Sequence, residues 1–158
     1  MKVGDFLSPR VIVIELGAEK KREVLEELCA ALVRADPSLN PERMVAILLD
    51  REKLGSTGVG EGVAIPHGKM ECLDRLIACF GRSSKGVEFE AVDKKPVHLF
   101  FLLFAPENSA GIHLKALAKI SRLLKRASVR QELLSGRSPE ALYGILTRED
   151  SEAQTLQG

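Results

Sequence analysis

Cysteine is scarce in this chain. Cys29, Cys72 and Cys79 are odd in number, and no two stand at C-x-x-C spacing. That leaves no basis for a disulfide framework and suits idle or buried thiols in a reducing cytoplasm. An excess of charge is missing too. The 23 basic residues nearly balance the 22 acidic ones, for a formal net charge of +1, so nothing electrostatic argues for nucleic acid or an anionic membrane surface as a partner. Long hydrophobic runs are absent. The strongest, around "VHLFFLLF", falls far short of the ~20 residues a membrane-crossing helix needs, so the chain is not expected to be membrane-embedded. The N-terminal "MKVGDFLSPRVIVIEL" lacks the basic start, apolar core and small-residue cleavage site of a signal peptide. No repeat, low-complexity segment or interdomain linker interrupts the chain.

What is there is the material of one globular domain: 158 residues, 45% hydrophobic and 28% charged. We expect a single domain over 1–150 and a C-terminal tail over 151–158. The β-branched "RVIVIEL" predicts a strand from Arg10 to Leu16. Val24, Leu25, Leu28, Cys29 and Leu32 recur at helical spacing. A second helix opens at Asn40 as N-cap with Pro41 at its first position, and ends at Gly55. "VAI" reads as a short strand stopped by Pro66, and "LIACFG" as another. "PVHLFFLLFAP" is nearly continuous in apolar residues, as a central strand covered on both faces would be. "SSKGVEFEAVDKKP" between them reads as loop with room for a short edge strand. The last third is helical, with Ser128 and Gln131 as a capping box and Ser138–Pro139 starting the final helix. The order strand, two helices, three strands, two or three helices predicts an α/β fold. A mixed sheet would lie between two helical layers, an α/β/α sandwich.

The stretch "GSTGVGEGVAIPHGK", Gly55 to Lys69, carries the chemistry. Its glycines stand after a helix and before a strand, the reverse of a dinucleotide fingerprint, and Lys69 is followed by Met70 rather than Ser or Thr. Both nucleotide readings fail. An anion site remains open, because successive main-chain N–H groups in glycine-rich turns converge on phosphate oxygens. Gly55, Ser56, Thr57 and Gly58 are the candidate donors, and Arg51 can add a planar charged fork. His67 then offers a ring nitrogen with a free lone pair near neutral pH, able to attack phosphorus. The plainer alternative is a flexible connector with a surface histidine. The company of Arg51, Pro66-His67-Gly68 and a second histidine, His113, argues against it. A zinc site of His67, His113 and Cys72 matches no common ligand spacing, and no metal or cofactor is expected.

"REKLGSTGVGEGVAIPHGK" resembles the active-site segment of the enzyme IIA proteins of the bacterial phosphoenolpyruvate-dependent phosphotransferase system. The likeness is to the mannitol/fructose and nitrogen-regulatory class, nearest the nitrogen-regulatory type. It extends from "DFLSPRVIVIEL" through "PVHLFFLLFAPENSAGIHLKALAKIS" to "ELLSGRSPEALYGIL". It implies that His67 accepts a phosphoryl group from the phosphohistidine of the small carrier HPr. Arg51 would be the arginine near the phosphate and His113 the second active-site histidine, with Ser56 and Thr57 as loop donors. The downstream partner would be a regulatory target, a transporter or kinase, or else a sugar-specific IIB domain, and the protein would be cytoplasmic. His98 departs from the pattern, since relatives often carry an acid there, and we read it as structural. A phosphate-free interaction module on the same fold is the rival from another class. It would be favoured by loss of the acceptor histidine, which this chain keeps.

Overall fold

The computed structural model describes the backbone of residues 1–157 and the side chains of residues 1–150. Its centre is the strand that the apolar run predicts, here β6 (Val97–Pro106), in which every residue from Leu99 to Ala105 is at most 1% exposed. Burial on both faces explains why its pattern is continuous rather than alternating. On one side β6 pairs antiparallel with β5 (Ile77–Val87), which in turn pairs parallel with β1 (Ile12–Val13). On its other side β6 carries two short parallel strands, β3 (Val63–Ala64) and β4 (His67–Met70). Val63 lies opposite Leu99 and His67 opposite Leu103, so β3 and β4 are one edge in one register, interrupted at Ile65 and Pro66. The edge strand β2 (Gly58–Gly60) pairs antiparallel with β3.

Helices cover both faces. α1 (Lys21–Ala35) packs on β5 and α2 (Pro41–Glu52) on β4. On the opposite face lie α3 (Ala110–Lys125), α4 (Ala127–Ser135) and α5 (Pro139–Gln157). The sheet's alternation can be followed at two neighbours in β5. A Cβ on Gly81 would come within 2.7 Å of Leu28 in α1, while the next side chain, Arg82, crosses to the other layer. There its guanidinium donates to the carbonyls of Leu133, Leu134 and Gly136 at the end of α4, where the helix dipole favours a cation. One apolar cluster joins the layers, from Val3 to Leu146. Burial pushes the Cys29 thiol up to about 12, and Cys79 upward as well, so both serve as small apolar side chains.

The α/β fold with a mixed sheet is the one the sequence predicts, and several boundaries differ for local reasons. Five strands separate α2 from α3 where the pattern gives three, because β2 and β4 hide in glycine-rich sequence. β5 runs on through Arg82 and "SSKGV", farther than the short edge that the pattern allows there. The first strand shrinks to Ile12–Val13, since Pro9–Val11 form a single 3₁₀ turn ahead of it. The N-caps at Asn40 and Ser138 do accept the expected main-chain N–H bonds, from Arg43 at 3.1 Å and Ala141 at 3.0 Å. Ser128 does not cap. It sits inside α4, because a single residue, Arg126, links α3 to α4 and takes the N-cap position itself. Arg130 instead satisfies the last carbonyls of α3, at Leu124 and Lys125. The tail expected over 151–158 falls where α5 continues to Gln157 and side chains lie outside the described residues.

Candidate functional site

The glycine-rich stretch folds as a hairpin. Two residues, Glu61 and Gly62, join β2 to β3, with φ of 58° and 74°. Positive φ at both central positions is what a tight two-residue hairpin of matching twist requires, and glycine reaches it without penalty. The ladder of the hairpin ends where Ile65 N–H donates to the Thr57 carbonyl at 3.0 Å. In a strand a residue's N–H and C=O point to the same side, so the Ile65 carbonyl projects just past the end of that ladder. His67 takes it up: its Nδ1 lies 2.7 Å from that oxygen.

This bond decides the chemistry of the ring. A carbonyl oxygen only accepts, so Nδ1 carries the proton and Nε2 keeps the free lone pair. His67 is half-buried. Burial lowers its pKa most, and Arg51 lowers it further. The Ile65 bond and the charge of Glu52 pull the other way, and the net shift is downward. The imidazole is therefore neutral and nucleophilic at pH 7.

Two neighbouring elements furnish the rest. Gly68 turns its face toward α2, where an added Cβ would stand 2.5 Å from Ile47, so the Pro-His-Gly glycine is required by close packing. His67, one residue earlier, faces the other way, toward α3. The rings of His67 and His113 meet edge to face, with centroids 5.5 Å apart and planes at 76°. His113 is 7% exposed and its Nε2 has no hydrogen-bond partner among the described residues. Burial, then His67, then Lys69 hold its pKa at about 4, so this ring too is neutral. A buried, unpaired ring nitrogen is costly unless something outside the protein occupies it. Arg51, at the end of α2, spends Nη1 on the Gly55 carbonyl at 2.9 Å and keeps its other donors, with its charge felt at His67.

The structure thus brings together His67, His113 and Arg51 but uses the loop residues differently. Gly55 supplies its carbonyl to Arg51 and its N–H to the Glu52 carbonyl at 3.1 Å. The Ser56 hydroxyl donates to Phe89 and accepts from the Gly58 N–H. Thr57 is 4% exposed, and both its N–H and its hydroxyl donate to the Glu52 carboxylate. The Thr57 and Gly58 donors that the sequence offers to a phosphate are therefore committed within the hairpin, because a buried turn must first satisfy its own backbone. Glu52 is the residue the sequence reading misses. Its one signal is an acid at a helix end, five residues before a threonine. His98 lies apart, on the Ser83 carbonyl at 2.8 Å. Among the described residues no group of three or more His, Cys, Asp or Glu side chains converges as a metal site.

The chain is similar to known proteins over nearly its whole length. Residues 5–149 match the family model described as "Phosphoenolpyruvate-dependent sugar phosphotransferase system, EIIA 2". A nitrogen regulatory protein of Bradyrhizobium diazoefficiens is 40% identical over 146 residues, covering 92% of this chain and 95% of that one. The crystal structure of the nitrogen regulatory protein IIA-Ntr from Neisseria meningitidis superposes with a TM-score of 0.86 at 39% identity, over 92% of this chain and 99% of that one. Enzyme IIA for mannitol from Escherichia coli, solved in complex with phosphorylated enzyme IIB for mannitol, gives 0.72 at 26%, over 88% and 95%.

Proposed function

This chain belongs to the EIIA 2 family of the phosphoenolpyruvate-dependent sugar phosphotransferase system, and from that premise we propose that its phosphoacceptor is His67, through Nε2. The protein is a phosphotransferase component that carries a phosphoryl group on histidine. One observation carries the residue assignment: the Ile65 carbonyl holds Nδ1, which leaves the Nε2 lone pair as the only nucleophile of a ring set against buried His113. As Nε2 bonds to phosphorus, the P–N bond to the donor imidazole breaks and its electron pair returns to the donor. His67 keeps its Nδ1 proton. Arg51 offers charge-assisted donors to the phosphoryl oxygens, and the orphan Nε2 of neutral His113 can donate to one of them. His113 lies in the first turn of α3, the helix end that favours negative charge. Gly55 to Gly58 serve this site through their internal bonds, Gly55 by holding Arg51 and Thr57 by holding Glu52.

The donor we propose is an HPr-type phosphocarrier. Leu54, Ile112 and Leu114 are exposed, at 83%, 50% and 67%, one just beyond Arg51 and two on either side of His113. Apolar side chains around a polar centre suit a small, transient docking face. The nitrogen-regulatory branch is favoured over a sugar-specific one by the structural likeness, a TM-score of 0.86 at 39% identity to the nitrogen regulatory protein against 0.72 at 26% to the mannitol enzyme. A regulatory target would then bind one phosphorylation state and not the other, since ~1.5–2 added negative charges penalise an apolar or acidic partner. The sugar-specific alternative hands the group to a IIB domain, as in the mannitol complex. Among the described residues no helix is long and apolar enough to cross a membrane, and the cytoplasm is the compartment we propose, since a small phosphocarrier would have to reach the site there.

Incubation with phosphoenolpyruvate, enzyme I and HPr, followed by intact-mass measurement, tests the assignment. One acid-labile phosphoryl group is expected on the native chain and none on His67→Ala. Full labelling of the alanine variant sinks it.

A further inference from the structure

An unbroken line of hydrogen bonds ties His67 to a buried acid, and we infer that Glu52 is a positioning residue for phosphoryl transfer, acting on His67 through Thr57 and Ile65. The inference rests on His67 being the acceptor, as proposed above. Glu52 ends α2, directly after Arg51, and is 9% exposed. A buried carboxylate is tolerated only when its oxygens are engaged, and here one residue engages both. Thr57 N–H donates to Oε2 at 2.8 Å and Thr57 Oγ1–H to Oε1 at 2.6 Å. The line continues from the Thr57 carbonyl to Ile65 N–H at 3.0 Å, and from the Ile65 carbonyl to His67 Nδ1 at 2.7 Å. The main chain of Glu52 also closes the turn, through Gly55 N–H, and Gly55 in turn receives Arg51. Glu52 therefore roots both the loop that holds the arginine and the carbonyl that holds the histidine.

The root acts in two ways. The first is geometric. Thr57 pinned at Glu52 is the last rung of the β2–β3 ladder, and that rung aims the Ile65 carbonyl. Were it to turn away, either ring nitrogen of His67 could carry the proton, and part of the nucleophile would be lost to the wrong tautomer. The second is electrostatic. When Nε2 binds phosphorus with Nδ1 still protonated, the ring acquires positive charge. Arg51 opposes that charge and Glu52 favours it. The other titratable groups facing the two imidazoles are Arg51 from α2, His67 and Lys69 from β4 and His113 from α3, all neutral or positive. Glu52 is the acid set among them.

The test uses the full chain with ¹⁵N-labelled histidine. Glu52→Gln keeps the size and one acceptor but removes the charge; Thr57→Val removes only the hydroxyl arm; Thr57→Ser restores it. Long-range ¹H–¹⁵N spectra report the tautomer and titration midpoint of His67 with no phosphate present. Rapid-quench measurements with phosphorylated HPr give the transfer rate. In folded Glu52→Gln the His67 midpoint should fall, the tautomers should mix, and transfer should slow roughly 10–100-fold, the range seen when a group that orients a functional imidazole is lost. Thr57→Val should move each readout the same way by less, and Thr57→Ser should recover the native values. Unchanged spectra and rate in Glu52→Gln, or in Thr57→Val should the first not fold, overturn the positioning role and leave His67 as acceptor. Native protein that takes no phosphate at His67 overturns the acceptor reading instead, and the spectra still decide whether Glu52 governs the ring.

Discussion

His67 at the head of β4 and His98 near the head of β6 are held by the same device. Each is half-buried and each gives Nδ1–H to a main-chain carbonyl, Ile65 at 2.7 Å in one case and Ser83 at 2.8 Å in the other. What differs is the far edge of the ring. The far edge of His98 rests against glycine backbone: a Cβ on Gly86 would stand 3.0 Å from its Cε1, and one on Gly62 3.6 Å from its Cδ2. The far edge of His67 meets His113 in the electrostatic field of Arg51 and Glu52. A carbonyl at Nδ1 is thus a way of fixing an imidazole, and it confers no activity by itself. In the function proposed here, activity comes from what α2 and α3 place at the other nitrogen of His67.

The comparison breaks most sharply at Arg51. Arg51→Gln removes the charged donors and should slow phosphoryl uptake by ~10²–10³-fold, the usual cost of losing such a donor set, with folding unaltered. The same change relieves one of the causes that lower the His67 pKa, so the acid limb of the rate profile should move to higher pH. An unchanged rate at all pH values would place the arginine outside the reaction.

His113 is the next lever. Its loss as a hydrogen-bond donor in His113→Phe should slow transfer roughly tenfold, the worth of about 1.4 kcal/mol, without moving the attachment site. Its titration also bears on stability. Burial first, then His67 and Lys69, hold the folded pKa at about 4 against an unfolded value of ~6.5. The unfolded chain therefore binds the proton more tightly, so the stability this site contributes is complete above pH ~6.5 and is lost as pH falls toward 4. Thermal melts of His113→Phe should show a flatter acid limb than the native chain across that window. Identical limbs would mean that His113 titrates normally.

An effect on stability is expected at Gly68, where the site meets the core. Gly68→Ala forces a Cβ to within 2.5 Å of Ile47 on α2 and should cost about 1–3 kcal/mol in denaturant unfolding. Smallest of all is His98→Gln. It should leave uptake at His67 within about twofold, since a change outside the site shifts free energies by roughly 0.5 kcal/mol. A large loss there would erase the distinction between the two histidines.

Much of this molecule was legible in the chain. The unbroken apolar run of β6, the Asn40–Pro41 and Ser138–Pro139 starts, and the Pro-His-Gly segment all speak through local pattern, because burial, capping and proline geometry act within a few residues. β2 and β4 were not legible, since glycine weakens every strand signal and the β6 partners of this edge lie more than thirty residues away. Ser56 and Thr57 looked free for a ligand in the sequence, and their actual partners, Phe89 and Glu52, depend on how the hairpin closes.

By itself the sequence determined which side chains could do the chemistry: an imidazole, a guanidinium and a second imidazole, carried by a chain able to bury one core. Only the tertiary structure decided which nitrogen of His67 is free and why its ring is neutral. Both depend on groups that chain order keeps apart. The Ile65 carbonyl stands past the end of a ladder closed on Thr57, and the desolvation that lowers both histidine pKa values arises only when α3 packs beside β4.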